Sequence, residues 1–316
     1  MTNTTSPARP GGARSLAAHG TRGPAGRARR SAAPAGTADL GGIGLMLAGT
    51  LSVQFGSAVA ALLFPRAGAL GVVTLRVSLA AALLLLVCRP RLRGHSRTDW
   101  AVAGGFGVAL GGMNILFYQA IDRIPLGPAV TLEVLGPLLL SVAAARRAVS
   151  LVWAGLALGG VFLLGQEGFD RLSPAGAGFA LGAGAMMAAY IVLNSRAGAR
   201  FPRLDGLALA MGVAALMSLP LGIGSTGATL LEPEVLALGF AVALLSSGLP
   251  YTLELLALRR LPAATFAVLT SLAPAIAALA GFLVLGQTLS GPQCLAIALV
   301  VAASAGAVRT GRSDRR

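Results

Sequence analysis

The sequence has no lysine, only two histidines and two cysteines in 316 residues, and just 11% of it is charged. Each scarcity removes a class of protein. His19 and His95 both lie in polar stretches and give no basis for a histidine metal or catalytic centre. Cys88 and Cys294 fall near the ends of apolar segments and offer neither a disulfide framework nor a metal spacing. No cofactor is expected. Without lysine, all 25 basic residues are arginine, as a GC-rich genome would produce. A net charge of +14 suggests nucleic acid, but the arginines sit in loops and tails and no nucleic-acid motif accompanies them, so that partner is set aside.

What is abundant is apolar: 55% of the chain. That composition belongs to a polytopic membrane protein, with the lipid bilayer as its main partner. Residues 1–39 are the exception, rich in Ala, Gly, Arg, Ser and Pro, and are expected to be a disordered, arginine-rich cytoplasmic tail. They resemble an organellar transit peptide only in being arginine-rich and acid-poor. They lack the apolar core of a secretory signal, and no apolar stretch follows Arg29-Arg30 directly. Ten apolar segments follow, near Ile43–Phe64, Val72–Val87, Ala101–Ile121, Pro125–Ala145, Leu151–Gly165, Pro174–Asn194, Leu204–Leu221, Leu236–Leu258, Pro262–Leu285 and Pro292–Val308. About 20 residues of helix cross a ~30 Å hydrocarbon core, so most fit one span each; the second and fifth are short. They are expected to be helices, because lipid-exposed backbone must satisfy its own hydrogen bonds and no barrel-like alternation is present.

The stretch Pro125–Pro137 recurs in the same frame at Pro262–Pro274, with eleven residues between the prolines each time. Each copy follows a long apolar segment and a four-residue corner, Asp122-Arg123-Ile124-Pro125 or Arg259-Arg260-Leu261-Pro262. One fold unit is therefore expected twice, over residues 40–170 and 171–309, with a cytoplasmic tail at 310–316. Placing the N-terminus in the cytoplasm puts 21 arginines inside and only Arg66, Arg123 and Arg171 outside, as the positive-inside rule demands. Five helices per half is odd, so the halves enter the membrane from opposite sides. The predicted fold is thus an all-α integral membrane protein of ten helices in two inverted five-helix repeats, both termini cytoplasmic. Inverted repeats are the architecture of alternating-access transporters.

Polar residues inside the apolar segments are the candidate site, because each is costly there. Glu133 is ninth in the Pro125–Ala145 segment, near the midplane. It can bind an ammonium group or a coupling proton, or simply be a protonated acid bonded between helices; its counterpart in the repeat is Thr270. Glu254, close to Arg259 and Arg260, can act likewise or snorkel to the interface. Pro250 frees a backbone carbonyl one turn earlier, which can expose polar backbone to the cavity. Arg76 is the arginine inside a segment, near the outer end of the second, where it can snorkel or serve a carboxylate with its planar fork. Asn114 and Tyr118, at i and i+4, share one helix face, and Gln54 lies deep in the first segment. The glycines at 104, 105, 107, 111 and 112, and at 178, 182 and 184, read as helix-packing positions.

Particular residues resemble those of a known family. Ser52-Val53-Gln54-Phe55-Gly56, Leu63-Phe64-Pro65 and Thr74-Leu75-Arg76 do so, as do Gly111-Gly112-Met113-Asn114 and Leu116-Phe117-Tyr118. The match continues through Pro125-Leu126-Gly127, Leu132-Glu133, Gly136-Pro137, Leu181-Gly182-Ala183-Gly184-Ala185, Leu249-Pro250-Tyr251 and Leu253-Glu254. Over residues 43–308 the chain resembles EamA-type members of the drug/metabolite transporter superfamily, and among them the bacterial threonine/homoserine exporters. One departure is Gly286-Gln287, where EamA-type proteins often carry Gly-Glu. The resemblance implies a bacterial inner-membrane exporter, not an enzyme, acting as monomer or homodimer. Its cargo would be a small neutral amino acid, its coupling ion the proton. A zwitterion needs an anionic or acceptor group and a cationic or donor group; Glu133 or Glu254 with Arg76, Asn114 and Tyr118 can provide both. Rival readings are export of another metabolite or a cationic drug, and, in a different class, a membrane enzyme or lipid scramblase. Small multidrug pumps of the superfamily carry a first-helix glutamate, absent here. An enzyme would show clustered His, Asp or Cys at a membrane face.

Overall fold

The computed structural model describes residues 40–145, 148–166, 173–202, 204–258, 260–261 and 269–310. Regular structure among them is helical throughout: α1 (Leu40–Leu62), α2 (Phe64–Cys88), α3 (Arg97–Ile121), α4 (Leu126–Ala145), α5 (Ala148–Gln166), α6 (Pro174–Arg200) and α7 (Asp205–Thr226). A short 3₁₀ turn at Gly227–Leu231 leads to α8 (Pro233–Ala243), a π-helical segment (Leu244–Gly248) and α9 (Leu249–Leu258) in direct succession. α10 (Ala273–Leu285) and α11 (Gly291–Thr310) complete the chain. Five helices, α1, α2, α3, α6 and α7, are long and apolar enough to cross a bilayer; α4, α8 with its π extension, α10 and α11 contribute shorter apolar stretches.

Local chemistry sets the helix starts. Ser96 and Asp99 form a reciprocal capping box that begins α3 at Arg97, earlier than the predicted Ala101. Ser173 accepts from the Gly176 N–H ahead of Pro174 to begin α6. The largest correction concerns α2, predicted to begin at Val72. It begins at Phe64, with Leu63 alone separating it from α1. Pro65 stands in the first turn, where its missing N–H costs nothing, and Gly68 absorbs a non-helical step at φ 63°, ψ 162°. Arg66, read as a loop residue, is therefore helical, and its charge pairs with Glu234 at 2.5 Å on the surface.

The core is built from small side chains, which lets backbones approach. α3 packs on α6 and α7, α2 on α7 and α8, and α5 on α11. α4 packs on α6 and α10, and α1 on α10 and on α9 with the π segment. Gly107 and Gly111 of α3 face Ala210, Val213 and Ala214 of α7, as the glycine series suggested. Gly104 and Gly178 face open space instead, so that series is only partly a packing seam.

Candidate functional site

A cleft of about 200 Å³ opens between α1, α2, α3, α4, α6 and the start of α10. Of the predicted site residues, Gln54, Arg76, Asn114 and Glu133 line it together. They come from four helices, and Glu133 and Arg76 are the charged side chains among the lining residues. Thr270, which the repeat makes the counterpart of Glu133, lines the same cleft. Tyr118 does not; it is fully buried behind Arg76. Glu254 belongs to α9, and its side chain lies outside the described residues.

Arg76 is central in α2 rather than near an end, a direct result of the helix beginning at Phe64. It is half-buried and turned inward. Nη1 donates to Tyr118 Oη at 3.2 Å and Nη2 donates to the Ser246 carbonyl at 3.2 Å. The guanidinium carbon also lies 5.5 Å from the Tyr118 ring centroid. The snorkelling alternative does not fit this placement.

Pro250 explains why Ser246 can accept. In an α-helix the N–H four residues ahead would serve the Ser246 carbonyl, and a proline there has none. The chain responds with a π segment, in which the Leu249 N–H reaches back to Leu244. The Leu245 carbonyl then takes the Ser52 hydroxyl of α1 at 2.6 Å, while Ser246 takes Arg76 of α2. The carbonyl that sequence reading assigned to the cavity is thus the anchor of its cation. The Ser246 and Ser247 hydroxyls, in the same segment, are buried and unpartnered among the described residues.

Glu133 is placed by an unusually close helix pair. A Cβ on Gly136 would overlap the Gly184 carbonyl, and one on Gly184 would sit 2.6 Å from the Glu133 carbonyl oxygen. Only glycine at both positions lets α4 and α6 touch at this turn. Pro137 lies four residues beyond Glu133 inside α4 and has no N–H for the Glu133 carbonyl. The Glu133 carboxyl itself engages no hydrogen-bond partner among the described residues and faces the cleft.

Three features escaped sequence reading. Thr50 and Ser57 line the cleft beside Gln54, and the spacing i, i+4, i+7 already placed them on one face of α1. Met113 and Met187 line it too, but apolar residues in apolar helices carry no sequence signal. The capping role of Gln287 is the third: its Oε1 accepts from the Leu126 N–H at 3.1 Å at the start of α4.

A model of the EamA-like transporter family matches residues 174–309. The threonine/homoserine exporter RhtA of Escherichia coli strain K12 is 41% identical over 274 residues, 86% of this chain and 92% of its own length. The protein of the same name from Salmonella typhimurium strain LT2 is 40% identical over 272 residues, 85% of this chain and 92% of its own. A solved crystal structure at 22% identity superposes over 85% of this chain and 98% of its own with a TM-score of 0.51, a likeness of fold alone.

Proposed function

This chain belongs to the EamA-like transporter family, and from that premise we propose that it exports threonine and homoserine from the bacterial cytoplasm by proton antiport. The observation that carries the reading is the pairing of Glu133 and Arg76 in one cleft. A carboxyl and a guanidinium on opposing helices fit the ammonium and carboxylate of a zwitterion, and the relatives that cover most of the chain bear the exporter name. Arg76 takes the carboxylate through its fork. Glu133 takes either the ammonium or a proton; competition between them couples the two fluxes. One proton per cycle supplies ~2.3 kcal/mol per 100 mV of membrane potential.

Alternating access follows from the repeat. Let α1 to α5 correspond in order to α6, α7, the α8–π–α9 unit, the segment ending in α10, and α11. The packing of α3 on α6 then maps onto that of α9 on α1, and α4 on α6 onto α10 on α1. The α2–α7, α4–α10 and α5–α11 packings map onto themselves. This exchange pattern supports ten helices in two inverted halves of five. Two ion pairs support the grouping of corners by side, and the arginine count then sets the N-terminus inside. Arg200 reaches Asp99 at 2.8 Å and Arg66 reaches Glu234, each joining corners the arginine count assigns to one side.

The test is counterflow in proteoliposomes. Preloaded unlabelled threonine or homoserine should drive saturable uptake of the labelled amino acid. Folded protein that gives no counterflow with either would contradict the assignment.

A further inference from the structure

Resting on the amino-acid reading above, we infer that the Gln54 face of α1 recognises the side-chain hydroxyl of the transported amino acid and sets the preference for hydroxylated cargo.

Donors and acceptors are unevenly distributed around the cleft. Arg76 carries donors only. The opposite wall is different. Thr50 donates its hydroxyl proton to the Met46 carbonyl at 3.1 Å, leaving its oxygen lone pairs as its remaining capacity toward the cleft. Asn114 commits its amide nitrogen to the Leu110 carbonyl at 2.8 Å, leaving Oδ1 as an acceptor. Gln54 is 6% exposed, lines the cleft, and has its Oε1 buried without a partner among the described residues. Glu133 adds a carboxyl. Three helices therefore present acceptors with room for a proton, and the donors that remain on this wall are the Gln54 amide nitrogen and the second N–H of Asn114. Such a wall suits a ligand that brings protons.

A small amino acid with its carboxylate on Arg76 brings two kinds of proton to that wall, from the ammonium and from a side-chain hydroxyl. Glu133 is the charged acceptor and suits the ammonium. The Gln54 amide lines the cleft with its oxygen buried and unpartnered, and by turning that oxygen toward the cleft it suits the hydroxyl. Valine has the shape of threonine with a methyl group in place of the hydroxyl, so it would leave Gln54 unpaired. Sites built to bond a hydroxyl reject analogues that lack it far more strongly than apolar pockets reject an extra methyl. Homoserine carries the same donor one carbon further out, and the flat amide on its flexible stem accommodates both.

The experiment is competitive counterflow of threonine against valine, and of homoserine against 2-aminobutyrate, in wild type, Gln54→Met and Gln54→Glu. Wild type should prefer the hydroxylated member at least ~10-fold. Gln54→Met, similar in length but without the acceptor, should bring both ratios near unity while valine flux persists. Gln54→Glu, which keeps an acceptor, should retain most of the preference. Thermal protection of the detergent-solubilised wild type, stronger with threonine than with valine, reads the same preference without any variant. Wild type transporting valine as well as threonine, or Gln54→Met keeping the wild-type ratio, would overturn the inference and leave amino-acid export standing. Wild type that moves none of the four would remove the export reading and this one with it.

Discussion

Arg76 of α2 donates to the backbone carbonyl of Ser246, 3.2 Å away across the bundle, because Pro250 has no N–H to give that carbonyl. A cation that would otherwise be costly among apolar helices is held by a defect in another helix, 170 residues away in sequence. The Ser52 hydroxyl holds the neighbouring carbonyl of Leu245. The π segment is thus a junction between the helix that supplies the cation and the helix that supplies Gln54.

Restoring the missing donor should loosen that junction. Pro250→Ala gives the Ser246 carbonyl a backbone partner that competes with Arg76. Hydrogen bonds to charged groups contribute about 1.5–3 kcal/mol, so partial loss should raise the KM for threonine counterflow roughly 5- to 10-fold. Tyr118→Phe, which removes the other acceptor, should act in the same direction. A KM unchanged in both would mean that Arg76 does not depend on these contacts for substrate binding.

The α4–α6 contact makes a stability prediction with an internal control. Gly184→Ala brings a Cβ within 2.6 Å of the Glu133 carbonyl oxygen, so one backbone must move. Overpacking of this kind costs about 1–3 kcal/mol, which should lower the melting temperature in detergent by several degrees. Gly178→Ala, on the same helix with nothing within 4 Å, should leave it nearly unchanged. Equal melting of the two variants would refute the close approach.

Asp99, in the capping first turn of α3 ahead of the apolar run that starts at Ala101, offers a pH test at the surface. The Arg200 hydrogen bond, followed by those from the Ser96 backbone and hydroxyl, holds its carboxyl down at about 2. A depressed carboxyl stabilises the fold above its unfolded value, near ~3.9. That contribution is lost as pH falls toward about 2. Wild type should therefore be slightly more stable than Asp99→Asn at pH 5 to 7, with the two converging below about pH 3. The pair is at the surface, so 1 M salt should shrink the difference as well. A difference that grows on acidification would contradict the assignment.

Much of this was legible in the sequence, for reasons that differ from residue to residue. Apolar runs reveal helices by length, and Glu133 stood out because a charge in such a run is expensive. Gln54 and Asn114 were visible as polar groups in the same surroundings. The start of α2 was not, because Arg66 and Gly68 read as a loop until Glu234 and the Gly68 kink accommodate them. That error moved Arg76 toward a helix end and obscured its role. Tyr118 was read as cleft-facing from its spacing with Asn114, yet the turn of α3 carries it behind Arg76, where it anchors rather than lines. The π segment was half-legible: Pro250 announces a free carbonyl, but only the packing of α2 against α8 says which side chain takes it.

The central claim is proton-coupled export through Glu133, and threonine flux under an imposed pH gradient, compared between wild type and Glu133→Gln, tests it most directly. Glutamine keeps the size and hydrogen-bonding capacity of the side chain but cannot carry a proton. The account predicts gradient-driven flux in wild type, and in the variant residual counterflow at symmetrical pH with no response to the gradient. Gradient-driven accumulation undiminished in Glu133→Gln would contradict it.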